Sequence, residues 1–152
     1  MLRKPEWADI VERKIFEHRE EGEYLVHRYV VMPDHLHVIL TPSARTTLER
    51  AVQLTKGGSS YDIGRAFQTR FPVWQPGFTQ HLIRDRADYE SHVGYIDANP
   101  LKEEWPNDPR GISSARRMGG IGSTRGQWLQ GLKPPVGKSG DGGAEAPPFL
   151  FR

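Results

Sequence analysis

The nine residues Met32-Pro33-Asp34-His35-Leu36-His37-Val38-Ile39-Leu40 constrain this chain more than any other stretch. Pro33 presets its own φ and Asp34 can bond the backbone just ahead, so the pair is a turn. Tyr24 to Met32, rich in β-branched and aromatic residues, reads as a strand on one side of that turn. His35 to Leu40 reads as its partner, and the two-residue link makes a hairpin. Side chains alternate along a strand, so His35, His37 and Ile39 share one face while Leu36, Val38 and Leu40 share the other. The aliphatic face can enter a core while both imidazoles meet one ion or phosphate from a rigid element. Taken alone, His-x-His is more often a chance pair satisfied by hydrogen bonds within its sheet.

Helical patterns flank the hairpin. Pro5 suits a first turn, Glu6 and Asp9 suit the positive end of the dipole, and Trp7, Ile10, Val11 and Ile15 form a stripe reaching about Arg19. Thr46 and Glu49 match a capping box for a second helix whose buried side carries Leu48, Ala51, Val52 and Thr55. Gly57-Gly58-Ser59-Ser60 is expected to interrupt it, with Tyr61 to Phe67 resuming. The Lys56 to Ser60 run lacks Walker spacing and is not read as a nucleotide site. Phe71 to Ile83 suggests a third strand entered through a Pro76-Gly77 bend. A third helix begins near Asp85, with Tyr89, His92, Val93 and Ile96 as its packing face. Tyr95 and Asn99, four apart, share a flank of its last turn before Pro100. Gly94 marks either close approach by another element or a tolerated weak point.

The chain has 152 residues, the size of one ordinary domain with a tail. It has no cysteine, which excludes disulfides, thiolate metal sites and a cysteine nucleophile. Neither a membrane-length apolar run nor a signal-peptide pattern is visible, so a cytoplasmic location is the default expectation. The net charge of +2 and pI near 9.0 mildly favour a polyanionic partner. Gly, Pro and Ser dominate after residue 118, so residues 1–115 are expected to form the domain and 116–152 a mostly disordered tail.

In order and spacing, His35-Leu36-His37, Trp74-Gln75-Pro76-Gly77-Phe78 and Tyr95-Ile96-Asp97-Ala98-Asn99-Pro100 resemble the REP-associated tyrosine transposases. That group is part of the single-tyrosine branch of the HUH endonucleases and transposases, and the resemblance runs from about Trp7 to Lys102. It implies an α+β fold with a ferredoxin-like antiparallel sheet and helices on one face, incomplete at the N-terminus. It also implies metal-dependent nicking and rejoining of single-stranded DNA beside hairpins, through a covalent 5′-phosphotyrosine. Tyr95 would be the nucleophile, and His35, His37 and Asn99 would hold a divalent cation, Mg²⁺ or Mn²⁺. Family members have a strand before the first helix, interior to the sheet. Here Met1 to Lys4 precede it, so either the start is misplaced, the copy is a decayed fragment, or another segment or subunit fills the gap.

Contacts to DNA are expected among Lys56, Arg65, Arg70, Trp74, Phe78, His81, Arg84 and Arg86. Against this, single charged residues are usually solvated surface, Trp74 and Phe78 have an equal claim to the core, and His81 can equally support the sheet. His92, one turn before Tyr95, is expected in the core. The partner would be hairpin-bearing single-stranded DNA, with monomer and homodimer both open. One rival reading is a catalytically inactive hairpin-binding remnant. Another is a metallophosphoesterase that activates water on His35 and His37 without Tyr95.

Overall fold

A computed structural model describes residues 4–70, 72–98, 116–117 and 148–151. Helix α1 spans Pro5–Glu20 with proline in its first turn and His18 and Arg19 in its last, both placements that suit the helix dipole. Strands β1 (Tyr24–Val31) and β2 (Leu36–Pro42) pair antiparallel. The Met32 N–H donates to the His35 carbonyl at 2.8 Å and closes the expected hairpin over Pro33 and Asp34. The register shifts between Val26 and Arg28, which makes His27 the extra residue of a β-bulge.

Helix α2 spans Leu48–Phe67. Its cap is Thr47, whose hydroxyl accepts from the Arg50 N–H at 3.2 Å, one residue later than the expected capping box. Thr46 instead donates to the Glu23 carboxylate. The helix runs unbroken through Gly57-Gly58-Ser59-Ser60, against expectation, because neighbours make up for the weak local propensity. A Cβ on Gly58 would meet Lys14 Cδ at 3.3 Å and His18 Nε2 at 3.5 Å, so glycine lets α1 come close. Ser59 Oγ donates to the Thr55 carbonyl at 2.7 Å and accepts from Trp74 Nε1 at 2.9 Å.

Strand β3 is short, Gln80–Leu82, where a longer strand over Phe71 to Ile83 was expected. The preceding loop bends at Gly77, whose φ of +79° suits a residue without Cβ. Helix α3 follows at Arg86–Ala98, then β4 (Arg116–Arg117) and β5 (Phe149–Phe151). The sheet order is β3-β5-β2-β1-β4, and every described pairing is antiparallel.

The expected α+β sheet is therefore present, but its helices divide between the two faces instead of gathering on one. The reason lies in β2, which is buried on both sides. Leu36, Val38 and Leu40 join Tyr29, Val31 and residues of α1 and α2 in the larger core. Ile39 joins Val30, Met32, Ile83 and Ile96 in a second core under α3. A sheet buried on both faces needs cover on both.

The segment expected as a tail contributes two strands. β5 lies between β2 and β3, with Val38 opposite Phe151 and Leu40 opposite Phe149, and the Ile83 N–H donates to the Pro148 carbonyl at 3.0 Å. Another segment of the chain thus occupies an interior sheet position. Phe149 to Phe151 is too short and isolated for its composition to announce a pairing with residues more than a hundred positions away. Among the described residues, no helix is long and apolar enough to cross a membrane.

Candidate active site

The alternation of β2 sends His37 toward α3, and His35 stands just before the strand on the same side. His37 is 2% exposed and both its ring nitrogens are buried. The His35 and His37 rings lie 4.7 Å apart between centroids, at 84°. The Asp34 carboxylate can only accept, so its bond to His35 is donated by Nδ1–H, which leaves the lone pair of the neutral ring on Nε2. This carboxylate–histidine pairing is the arrangement that orients a metal-binding imidazole. Tyr95, on α3, is 47% exposed, and its ring centroid is 5.3 Å from that of His37. Two imidazoles and a phenol from a strand and a helix therefore meet in one place. The remaining expected ligand, Asn99, lies outside the described residues.

Two anchors hold α3 against the sheet. Near its end, Arg28 on β1 donates to Asp97 through a fork, Nε to Oδ1 at 2.8 Å and Nη2 to Oδ2 at 2.6 Å. Near its start, Asp88 Oδ2 accepts from the Arg84 N–H at 3.0 Å and from His81 Nε2 at 2.9 Å. Burial pushes the Asp88 carboxyl upward, but the Arg84 N–H and the His81 and His92 rings outweigh it and hold the group below the usual carboxylate range. Between the anchors Ile96 is 1% exposed in the second core. A cavity of about 340 Å³ opens beside Tyr95, lined also by His37, Thr79, Gln80, His81, Ser91 and His92. It falls within the size range of small-ligand sites.

Of the eight candidate DNA contacts, His81 alone lines this cavity. Lys56 Nζ donates to the carbonyls of Gln75 at 3.1 Å and Gly77 at 2.7 Å, and burial lowers its pKa. Trp74 and Phe78 are partly buried against the larger core. The Arg65 guanidinium lies 5.7 Å from the Tyr61 ring centroid, and Arg86 pairs with Glu90 at 2.7 Å. Arg70 and Arg84 are exposed. Sequence reasoning did not single out Asp34, Asp88, Arg28 or Asp97 for the site. Asp34 adjoins His35 and Asp88 stands one turn before His92, which are usable signals; nothing local links Arg28 to Asp97.

The donor chemistry fits a divalent cation: imidazole ligands, one oriented by a carboxylate, with room beside them for oxygen ligands. A family model described as "Transposase IS200 like" matches residues 1–99. A REP-associated tyrosine transposase of Escherichia coli (strain K12) is 31% identical over 88 residues, which are 57% of this chain and 50% of that protein. A putative REP-associated tyrosine transposase of Haemophilus influenzae is 28% identical over 95 residues, 50% of this chain and 53% of that protein. The chain thus spans about half the length of the curated relatives it matches. The solved structure of a REP-associated tyrosine transposase bound to a REP hairpin matches with a TM-score of 0.54 and 24% identity. That match covers 90% of this chain and 77% of the other, and it is a likeness of fold.

Proposed function

This chain belongs to the IS200-like transposase family, and on that footing we propose that it nicks and rejoins single-stranded DNA beside a hairpin, with Tyr95 as nucleophile. The observation that carries the reading is the 5.3 Å approach of the Tyr95 ring to His37, with the phenol exposed at a cavity. The chemistry needs a hydroxyl that reaches a phosphorus and a polar setting that eases loss of its proton. An ordinary phenol, with a pKa of about 10, is protonated at neutral pH and needs such help.

In the proposed step the Tyr95 oxygen forms a bond to the scissile phosphorus while the bond to the 3′-oxygen breaks. The phenol gives up its proton and the departing 3′-oxygen gains one. The 5′-phosphate remains on Tyr95. Attack by a 3′-hydroxyl reverses the exchange, one phosphodiester for another, so no nucleotide triphosphate is consumed. His35 and His37 would hold Mg²⁺ or Mn²⁺, with Asn99 as a further ligand. Such an ion, when bound, withdraws charge from a nonbridging phosphate oxygen, a contribution of several kcal/mol. Asp34 keeps His35 in the tautomer that offers Nε2.

The partner on this reading is hairpin-bearing single-stranded DNA; the structural neighbour is itself bound to a REP hairpin. The test is an assay for an SDS-stable protein–DNA adduct on a hairpin oligonucleotide with a single-stranded flank. Wild type should form the adduct with Mg²⁺ or Mn²⁺ and lose it in chelator. Tyr95→Phe should abolish it while hairpin affinity stays within about twofold, because the ring remains and one hydroxyl is gone. Adduct from Tyr95→Phe at the wild-type rate would refute the nucleophile assignment. Hairpin binding without adduct from wild type would make the chain a binding module.

A further inference from the structure

We propose that His81, Asp88 and His92 form a second divalent-cation site, bordering the same cavity as Tyr95 but separate from the His35–His37 pair. Asp88 and His92 stand at i and i+4 on α3 and therefore share a face, and His81 reaches them from β3. One donor atom from each lies within 4.8 Å of the other two. His81 Nε2 is 2.9 Å from one Asp88 oxygen and 3.1 Å from the other, and His92 Nδ1 is 3.1 Å from Oδ1. A tetrahedral ion with bonds of about 2.0–2.1 Å keeps its ligands roughly 3.3 Å apart. Small side-chain rotations would therefore admit the ion.

A purely structural role explains only part of this arrangement. The turn before α3 is served by Asp88 with the Arg84 N–H and a single histidine. The second imidazole, His92, is stacked on the first at 4.5 Å and 23°, and its Nδ1–H donates to the Asp88 carbonyl at 2.8 Å. To serve as a third ligand through Nδ1 it would release that carbonyl and carry its proton on Nε2. The three side chains are 37%, 19% and 22% exposed, so a bound ion would keep a face open to the cavity for water or a phosphate oxygen. Two imidazoles and one carboxylate favour Zn²⁺ or Mn²⁺ over Mg²⁺ or Ca²⁺. Holding a phosphate next to the scissile one is the role this site would play, and that role rests on the proposed function; the ion binding itself does not.

Equilibrium dialysis of the whole chain against Co²⁺, with visible absorption spectra, tests the proposal. The variants spare Asp88, because it accepts the Arg84 N–H. Wild type should bind two equivalents, His81→Ala/His92→Ala one, and His35→Ala/His37→Ala one with the other spectrum. If the His81/His92 variant keeps the wild-type stoichiometry, the proposal is overturned. If wild type binds a single ion, the variant that loses it decides: loss with His35/His37 removes the second site, whereas loss with His81/His92 keeps it and removes the catalytic pair. Histidine NMR on wild type covers the case of a misfolded variant. Substoichiometric Mn²⁺ should broaden the ring protons of His81 and His92, and sharp lines there would equally overturn the site.

Discussion

Asp97 stands two residues beyond Tyr95, and its fork with Arg28 ties the end of the described helix that carries the phenol to the sheet. The pair is 18% and 28% exposed, so water screens it only partly. Asp97→Asn keeps the shape but gives up the charge-assisted character of both bonds, and should cost about 1–3 kcal/mol of stability in urea unfolding. Adduct formation should fall more than hairpin affinity, since the phenol loses its support and the DNA surface does not. Arg28→Lys should rescue little, because a point charge cannot make the fork. At this scale the sequence was informative wherever the pattern was local. Strand alternation alone put both histidines on one face, and helical spacing put Ile96 inside and Tyr95 on the flank. Arg28 and Asp97 are 69 positions apart, and no periodicity couples them.

Helix α2 shows how tertiary contacts override a local stop. Two glycines and two serines argue for a break, yet Lys14 and His18 cover Gly58, and Trp74 bonds Ser59. The two glycines should differ on substitution. Nothing lies within 4 Å of a Cβ on Gly57, so Gly57→Ala should raise stability by about 0.5–1 kcal/mol through the backbone entropy it removes. Gly58→Ala should gain less, because Lys14, held by Glu17 at 2.7 Å and Asp62 at 3.1 Å, has to shift. Thermal midpoints of the two single variants check this directly. Helices α1 and α3 were legible because their apolar stripes are regular. The weak stripe across Gly57 to Ser60 was not, since the partners that stabilise it come from α1 and from the loop before β3.

Across the whole molecule, the described sheet gains an interior strand that local composition hides. β5 gives β2 and β3 a shared neighbour, and Phe149 packs partly into the larger core. Phe149→Ala should destabilise the protein by about 1–3 kcal/mol, below the usual range for a fully buried phenylalanine because this one is only partly covered. Hydrogen exchange should show faster amides across Val38 to Leu40 and Gln80 to Leu82, with α1 and α2 less affected. Unchanged protection there would mean that β5 does not hold the sheet. That β5 takes an interior place between β3 and β2 was beyond sequence reasoning. Long-range pairing of three residues leaves no signature in composition.

Tyr95 sits between two tethered points of a single helix, Asp88 toward its start and Asp97 toward its end. A side chain mounted that way swings through its own two torsions and little else. On the proposed reading the protein behaves as a fixed stop, and the length of single strand between hairpin and phenol does the measuring. Inserting or removing one nucleotide in that spacer should then move the cut along the DNA without any change in the enzyme.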